Sequence, residues 1–168
     1  MDLRYKIVKC STLKKKISVA RRQGIEIAFT NGCFDIIHYG HIKYLYAAKK
    51  KNRLLIVGLN SDRSVRAIKG SLRPIIKERE RAFILAALSF VDYVVLFDDD
   101  TPEALIQSLK PDVLIKGADW KDKRIAGADF VLTRGGKIEY IDYLKGISST
   151  NIISTIINRY DHLKDRTI

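Results

Sequence analysis

The sequence predicts an α/β fold: a doubly wound, Rossmann-like parallel sheet of about five strands in a single domain. Three observations lead there. Strand-like runs alternate with helix-like stretches along most of the chain. The central run, Leu54-Leu55-Ile56-Val57-Gly58-Leu59, is almost wholly apolar, as expected of a strand buried on both faces. The length, 168 residues, fits one globular domain.

Ser11–Gly24 reads as a short basic helix, capped by Ser11 or Thr12 and stopped by Gly24. Ile25–Thr30 reads as the first strand, His38–Lys51 as a helix and Leu54–Leu59 as the second strand. Glu78–Phe90 is a helix, with Phe83, Leu85, Ala86 and Leu88 among its apolar positions, and Tyr93–Phe97 a strand. Thr101-Pro102-Glu103 opens a further helix, with proline at its first position, that ends before Pro111. Val113–Ile115 is a short strand, Ala126–Thr133 a helix, Lys137–Ile141 a strand and Thr150–Tyr160 the closing helix. Residues 1–24 therefore read as an N-terminal helical extension, 25–160 as the sheet domain and 161–168 as a tail. A ligand crevice is expected at the carboxyl ends of the strands.

Lys and Arg number 31 against 19 Asp and Glu, a formal net charge of +12, which suggests an anionic partner such as nucleic acid or a phosphorylated small molecule. The composition, 46% hydrophobic and 30% charged, excludes disorder as the main state. No apolar run approaches a membrane span, and the first residues lack a signal peptide's apolar stretch. Two cysteines, Cys10 and Cys33, make neither a disulfide framework nor a zinc quartet, so a cytoplasmic protein is expected.

No G-x-G-x-x-G or Walker A sequence follows the first strand. The junction reads Thr30-Asn31-Gly32-Cys33-Phe34-Asp35, then His38-Tyr39-Gly40-His41. Gly32 permits a tight turn that lets amides near Cys33 and Phe34 face an anion. His38 and His41, three apart at a helix start, share a face where free N–H groups and the helix dipole favour phosphate. A metal site or two surface histidines are the alternatives; His162 is the third histidine, and no zinc shell is completed. Gly146-Ile147-Ser148-Ser149-Thr150 is either a helix cap or a second phosphate cradle. The cationic stretch Lys69–Arg81 reads as a solvated face or a mobile flap. Asp98-Asp99-Asp100 reads as a solvated loop before a helix rather than a metal site.

Taken together, Gly32–Asp35, His38–His41 and Ile147–Thr150 resemble the motifs of the cytidylyltransferase-like nucleotidyltransferase superfamily. Asn60-Ser61-Asp62, Lys69-Gly70, Arg73-Pro74, Asp100–Pro102, Lys116–Trp120 and Ile125–Gly127 are similar to the adenylyltransferase domain of bacterial heptose enzymes. Glycerol-3-phosphate cytidylyltransferases carry Arg where this chain has Tyr143, a departure from that subgroup. Cys33 and Ser149 stand where many relatives have Thr.

The resemblance implies adenylyl transfer from ATP to D-glycero-β-D-manno-heptose 1-phosphate, giving ADP-heptose for lipopolysaccharide cores and releasing pyrophosphate. It implies catalysis by His38, His41 and Lys69. It implies nucleotide contacts from Asn31, Cys33, Phe34, Gly40, Arg81, Gly117, Asp119, Trp120, Ser148, Ser149 and Thr150, and sugar-phosphate contacts from Asp35, Asn60, Asp62 and Arg73. Mg2+ is inferred from the nucleotide, with no protein ligand named. A homodimer and a separate sugar kinase supplying the substrate are further implications, with no nucleic acid or membrane partner. A cytidylyltransferase or another adenylyltransferase acting on a polyol or cofactor phosphate is the alternative within the enzyme class. A basic nucleic-acid-binding protein is the alternative outside it, although the positives are scattered and lack an aromatic-basic motif.

Overall fold

A computed structural model describes residues 2–142 and 146–161. Five strands form one all-parallel sheet: β1 (Glu26–Gly32), β2 (Arg53–Asn60), β3 (Tyr93–Phe97), β4 (Val113–Gly117) and β5 (Lys137–Ile141), in the order β3-β2-β1-β4-β5. Among the described residues seven α-helices accompany them: α1 (Cys10–Arg22), α2 (Tyr39–Ala48), α3 (Asp62–Lys69), α4 (Glu78–Ala87), α5 (Glu103–Leu109), α6 (Ala128–Thr133) and α7 (Ser149–Tyr160). The chain winds outward from β1 through β2 to β3, then returns to β4 on the other side. The β1–β4 seam is thus the topological switch point, where open α/β sheets form a crevice.

The apolar strands divide their side chains between two layers. Phe29, Ile56 and Leu114 pack with Leu13 and Ile17 of α1 and with Leu105, Ile106 and Leu109 of α5. Val57, Leu59 and Val94 pack on the opposite face with Leu45 of α2 and Leu85 of α4. Adjacent Ile56 and Val57 both have no exposed surface, which is why β2 reads as unbroken apolar sequence. Helix α1, set apart in the sequence reading as an extension, is packed into this core through Leu13, Ile17 and Ala20. At the opposite end of the strands, buried Arg53 pairs with Glu26 at 2.6 Å and Glu139 at 2.8 Å, tying β2 to β1 and β5.

Several boundaries differ from the sequence reading. Helix α1 begins at Cys10, with Lys9 as N-cap and no side-chain cap, so neither Ser11 nor Thr12 caps it. Helix α2 begins at Tyr39 and ends at Ala48, leaving His38 as its extended N-cap. Pro102 is an N-cap rather than the first helical residue. Helix α4 stops at Ala87 because Leu88 turns extended. Helix α3 was not expected, since its apolar stripe is thin. It is set by its ends: Ser61 accepts from the Ser64 N–H, and Gly70 leaves the helix at φ 92°.

Candidate active site

The turn after β1 is shaped by backbone that side chains rarely adopt. Phe34 and Ile36 have φ of 45° and 54°. A Cβ on Gly32 would lie 3.0 Å from the Phe34 ring, so glycine allows that ring to fold back over the turn. Phe34 then sits 5.3 Å from the His41 ring, centroid to centroid. The buried Asp35 carboxylate accepts from the Ile75 and Ile76 N–H groups and from Arg73 Nε, the last at 2.6 Å. Burial pushes its pKa up, but the Ile76 and Ile75 amides and the Arg73 guanidinium outweigh this and hold it below the usual carboxylate value.

His38 and His41 stack with ring centroids 3.9 Å apart and planes 24° apart. A Cβ on Gly40 would come within 3.1 Å of the His38 ring, a tight contact that glycine at this position avoids. Neither Nδ1 has a hydrogen-bond partner among the described residues, although both are buried. Burial lowers the pKa of His38, and burial, then His38 and Lys69, push His41 down to about 4. The fold thus favours the uncharged form of both rings.

Helix α7 brings a second N-terminus to the same place. Ser148 accepts from the Asn151 N–H at 3.1 Å, and Ser149 Oγ donates to the Asp35 carbonyl at 2.5 Å. Ser148 is therefore a helix cap, and Ser149 ties that cap to the turn after β1. The Thr150 hydroxyl carries no such bond among the described residues, and the residue is exposed. The direction of a Gly40 Cβ points to Ile147 at 3.8 Å, which places the start of α7 against the start of α2. Two helix N-termini thus converge on the crevice.

The β4 side supplies the other wall. Lys116 Nζ donates to Asn31 Oδ1 at 2.6 Å and lies 5.2 Å from the Trp120 ring centroid. Gly117 leaves room for the Asp119 carboxylate to fold back over the strand end. Trp120 is 38% exposed, with Lys123 also 5.6 Å from its ring centroid. Tyr44 of α2 shares a hydrogen bond with Thr30 of β1 at 2.8 Å, fixing the histidine helix to the sheet.

Other residues named from sequence are already engaged inside the protein. Arg81 has no exposed surface; it donates to the Cys33 carbonyl at 2.5 Å, the Ile76 carbonyl at 2.9 Å and Asp62 Oδ1 at 2.8 Å. Asn60 is buried and its amide donates to Ser64 Oγ. Arg73 holds Asp35. Lys69 ends α3, close enough for its charge to act on His41 and on Cys33, whose thiol is pushed up by burial. The segment Arg73–Ile76, read as part of a mobile flap, is clamped to the turn after β1 by Asp35 and Arg81. A separate cleft of about 860 Å³ lies beside α3, α4 and the end of β3; it includes Asp62 but neither histidine.

Lys116 is the feature that sequence reasoning left without a role, although it stood inside a quoted motif; its signal is a lone cation at the end of an otherwise apolar strand. Tyr143 and His162 lie outside the described residues. Among the described residues no three His, Cys, Asp or Glu side chains are grouped to hold a metal ion, and none of their helices is long and apolar enough to cross a membrane.

Compared with known proteins, residues 29–155 match the cytidylyltransferase-like family. The chain belongs to that family. The match runs from β1 into α7, so both helix N-termini of the crevice fall within it. Among its curated relatives within the family's reach is the bifunctional protein HldE of Syntrophotalea carbinolica, 52% identical over 89% of this chain and 31% of that protein. HldE of Geobacter metallireducens is 50% identical over 95% of this chain and 32% of that protein, and HldE of Campylobacter jejuni 52% over 88% and 31%. The chain spans about a third of the length of these relatives. A crystal structure of the lipopolysaccharide core biosynthesis protein from Thermoplasma volcanium is also similar. It has a TM-score of 0.58 and 27% identity, covering 74% of this chain and all of that one.

Proposed function

We propose that this cytidylyltransferase-like chain transfers an adenylyl group from ATP to D-glycero-β-D-manno-heptose 1-phosphate, yielding ADP-heptose and pyrophosphate. The observation that carries the reading is the stacked His38–His41 pair, with both Nδ1 atoms unpartnered, where the starts of α2 and α7 meet. The identity to HldE proteins and the likeness to a lipopolysaccharide core biosynthesis protein support the choice of sugar acceptor.

In this reaction an oxygen of the sugar phosphate attacks the α-phosphorus of ATP. The new phosphorus–oxygen bond forms as the bond to the β-phosphate oxygen breaks, and pyrophosphate carries away the electron pair. The nucleophile is already an anion, so no general base is required. What this chain supplies is position and compensation of negative charge. The imidazoles of His38 and His41 donate to α-phosphoryl oxygens, and Lys69 approaches from the end of α3. The N–H groups at the start of α7 take the β- and γ-phosphates beside Ser148, Ser149 and Thr150. Asn31, Gly117, Asp119 and Trp120 face the nucleoside. Asp35, Arg73 and Arg81 act by holding the turn that carries Cys33 and Phe34, while Asn60 and Asp62 shape the β2 end of the sugar-phosphate side.

Mg2+ bound with the nucleotide would offset triphosphate charge; the described residues offer no ligand cluster of their own for it, and no step is assigned to it. A homodimer, a cytoplasmic location and a kinase activity that phosphorylates the sugar belong to the same proposal. The test is a pyrophosphate-release assay crossing ATP and CTP with the heptose 1-phosphate and a polyol phosphate. Release with ATP and the heptose phosphate is expected; release confined to CTP and the polyol phosphate would overturn the reading.

A further inference from the structure

We infer that Lys116 is a phosphate-contacting residue, whose ammonium is held at the floor of the β1–β4 crevice to meet a phosphate oxygen of a substrate. The inference rests on the crevice being a nucleotidyltransferase site, and it adds a buried cation at the end of β4.

Few cations in this protein are buried. Among the described residues these are Arg53, Arg81 and Lys116. Arg53 is paired with Glu26 and Glu139, and Arg81 with Asp62. Lys116, only 7% exposed, has no carboxylate within ion-pair distance among the described residues. Its contacts are a neutral amide oxygen, Asn31 Oδ1, and the face of Trp120. Asp119 contributes a favourable field from a distance, but burial prevails and brings the amine down to about 8.

A buried ammonium without an anion is unfavourable for the fold itself, and a Met or Leu of similar volume would suit that position better. The cost is understandable if an anion arrives from outside. Location supports this. Phe29 and Leu114 are register partners across the β1–β4 seam, so Asn31 and Lys116, each two residues further on, project from the same face at the carboxyl ends of those strands. That is the mouth of the switch point, and the Trp120 ring of the turn after β4 lies beside the ammonium. An ammonium there has donors to spare beyond the one given to Asn31.

The phosphate oxygen can belong to the nucleotide or to the acceptor, and calorimetric titration distinguishes them. Wild type, Lys116→Met, Lys116→Gln and Lys116→Arg are titrated with ATP and, separately, with inorganic phosphate, and each variant's melting temperature is recorded. Loss of a charge-assisted contact predicts at least about a tenfold weaker affinity for one of the two anions in the Met and Gln variants. Arg should restore part of it. Weakening with ATP alone assigns Lys116 to the nucleotide; weakening with inorganic phosphate assigns it to the acceptor side. The melting temperature of Lys116→Met should equal or exceed that of wild type. Unchanged affinities for both anions, or a lowered melting temperature in both Met and Gln variants, would overturn the inference in favour of a structural lysine. Wild type that binds ATP but releases no pyrophosphate with the heptose phosphate would overturn the proposed reaction while leaving this result standing. Wild type that binds neither anion would overturn both.

Discussion

Ser149 donates its hydroxyl to the backbone carbonyl of Asp35, joining residues 114 positions apart in the chain. This one bond fixes the start of α7 to the turn that leads into α2, and so sets the spacing of the two helix N-termini. Ser149→Ala should cost about 1 kcal/mol of stability, the usual net worth of such a bond. Turnover should fall more than this stability change explains, by at least about tenfold, because small misplacements of phosphate-holding groups are amplified in rate. Denaturant unfolding alongside steady-state pyrophosphate release measures both; equal activity in Ser149→Ala would show that the tie is not needed.

The histidine pair should act on the transition state rather than on nucleotide affinity. His38→Ala and His41→Asn are each expected to lower kcat by about 100- to 1,000-fold, the range found for removing one positioned donor. The dissociation constant for ATP should shift only a few-fold. His41 also carries a pH signature. Its folded-state value of about 4 lies below its ordinary 6.5, so the fold disfavours the charged ring. Its contribution to stability is complete above about 6.5 and is lost as pH falls from there towards about 4. His41→Asn should flatten that part of the stability–pH curve.

Gly40→Ala separates geometry from chemistry. The added methyl would press on the His38 ring from 3.1 Å without removing any polar group. The ring must give by a few tenths of an ångström, and small misplacements of a positioned donor are amplified in rate. The expected outcome is a variant that melts within a few degrees of wild type but turns over about tenfold more slowly. Wild-type turnover would show that the stacked arrangement is not the reactive one.

Asp35 makes a prediction about acid stability. Its folded-state pKa is depressed, so the stability it confers is present above the ordinary carboxylate value and disappears as pH falls through the lower folded value. Asp35→Asn removes a charge that receives three groups of donors, at a cost of about 1.5–3 kcal/mol near neutral pH. Urea midpoints for wild type and variant should converge as the solution is acidified. A constant gap from neutral to strongly acidic pH would rule this out.

Much of the fold was legible because the inner strands are buried on both faces, which leaves apolar runs such as Leu54–Leu59. The edge strand Lys137–Ile141, with no buried residue, shows instead through its alternation of apolar and polar positions, and it matches its expected limits. Helix α3 was not, since its position depends on the Ser61 cap and the Gly70 stop rather than on an apolar stripe. The same distinction holds in the site. Gly32, Gly40, His38 and His41 announce themselves through local spacing. Asp35 and Arg81, read from sequence as ligand contacts, are seen to be engaged within the protein only once the Arg73–Ile76 segment is folded against them. Sequence reports which charged residues stand near a motif, but whether a charge faces a ligand or a carbonyl depends on long-range packing.

The switch point has a consequence for biosynthesis. Strands β1 to β3 emerge from the ribosome first and all lie on one side of the crevice; β4 and β5 follow and build the other. A nascent chain that has reached β3 already holds its histidines but lacks Lys116, Trp120 and the start of α7. The Ser149–Asp35 bond can form only once the chain has been made through the start of α7, so the crevice is closed by the last helix described.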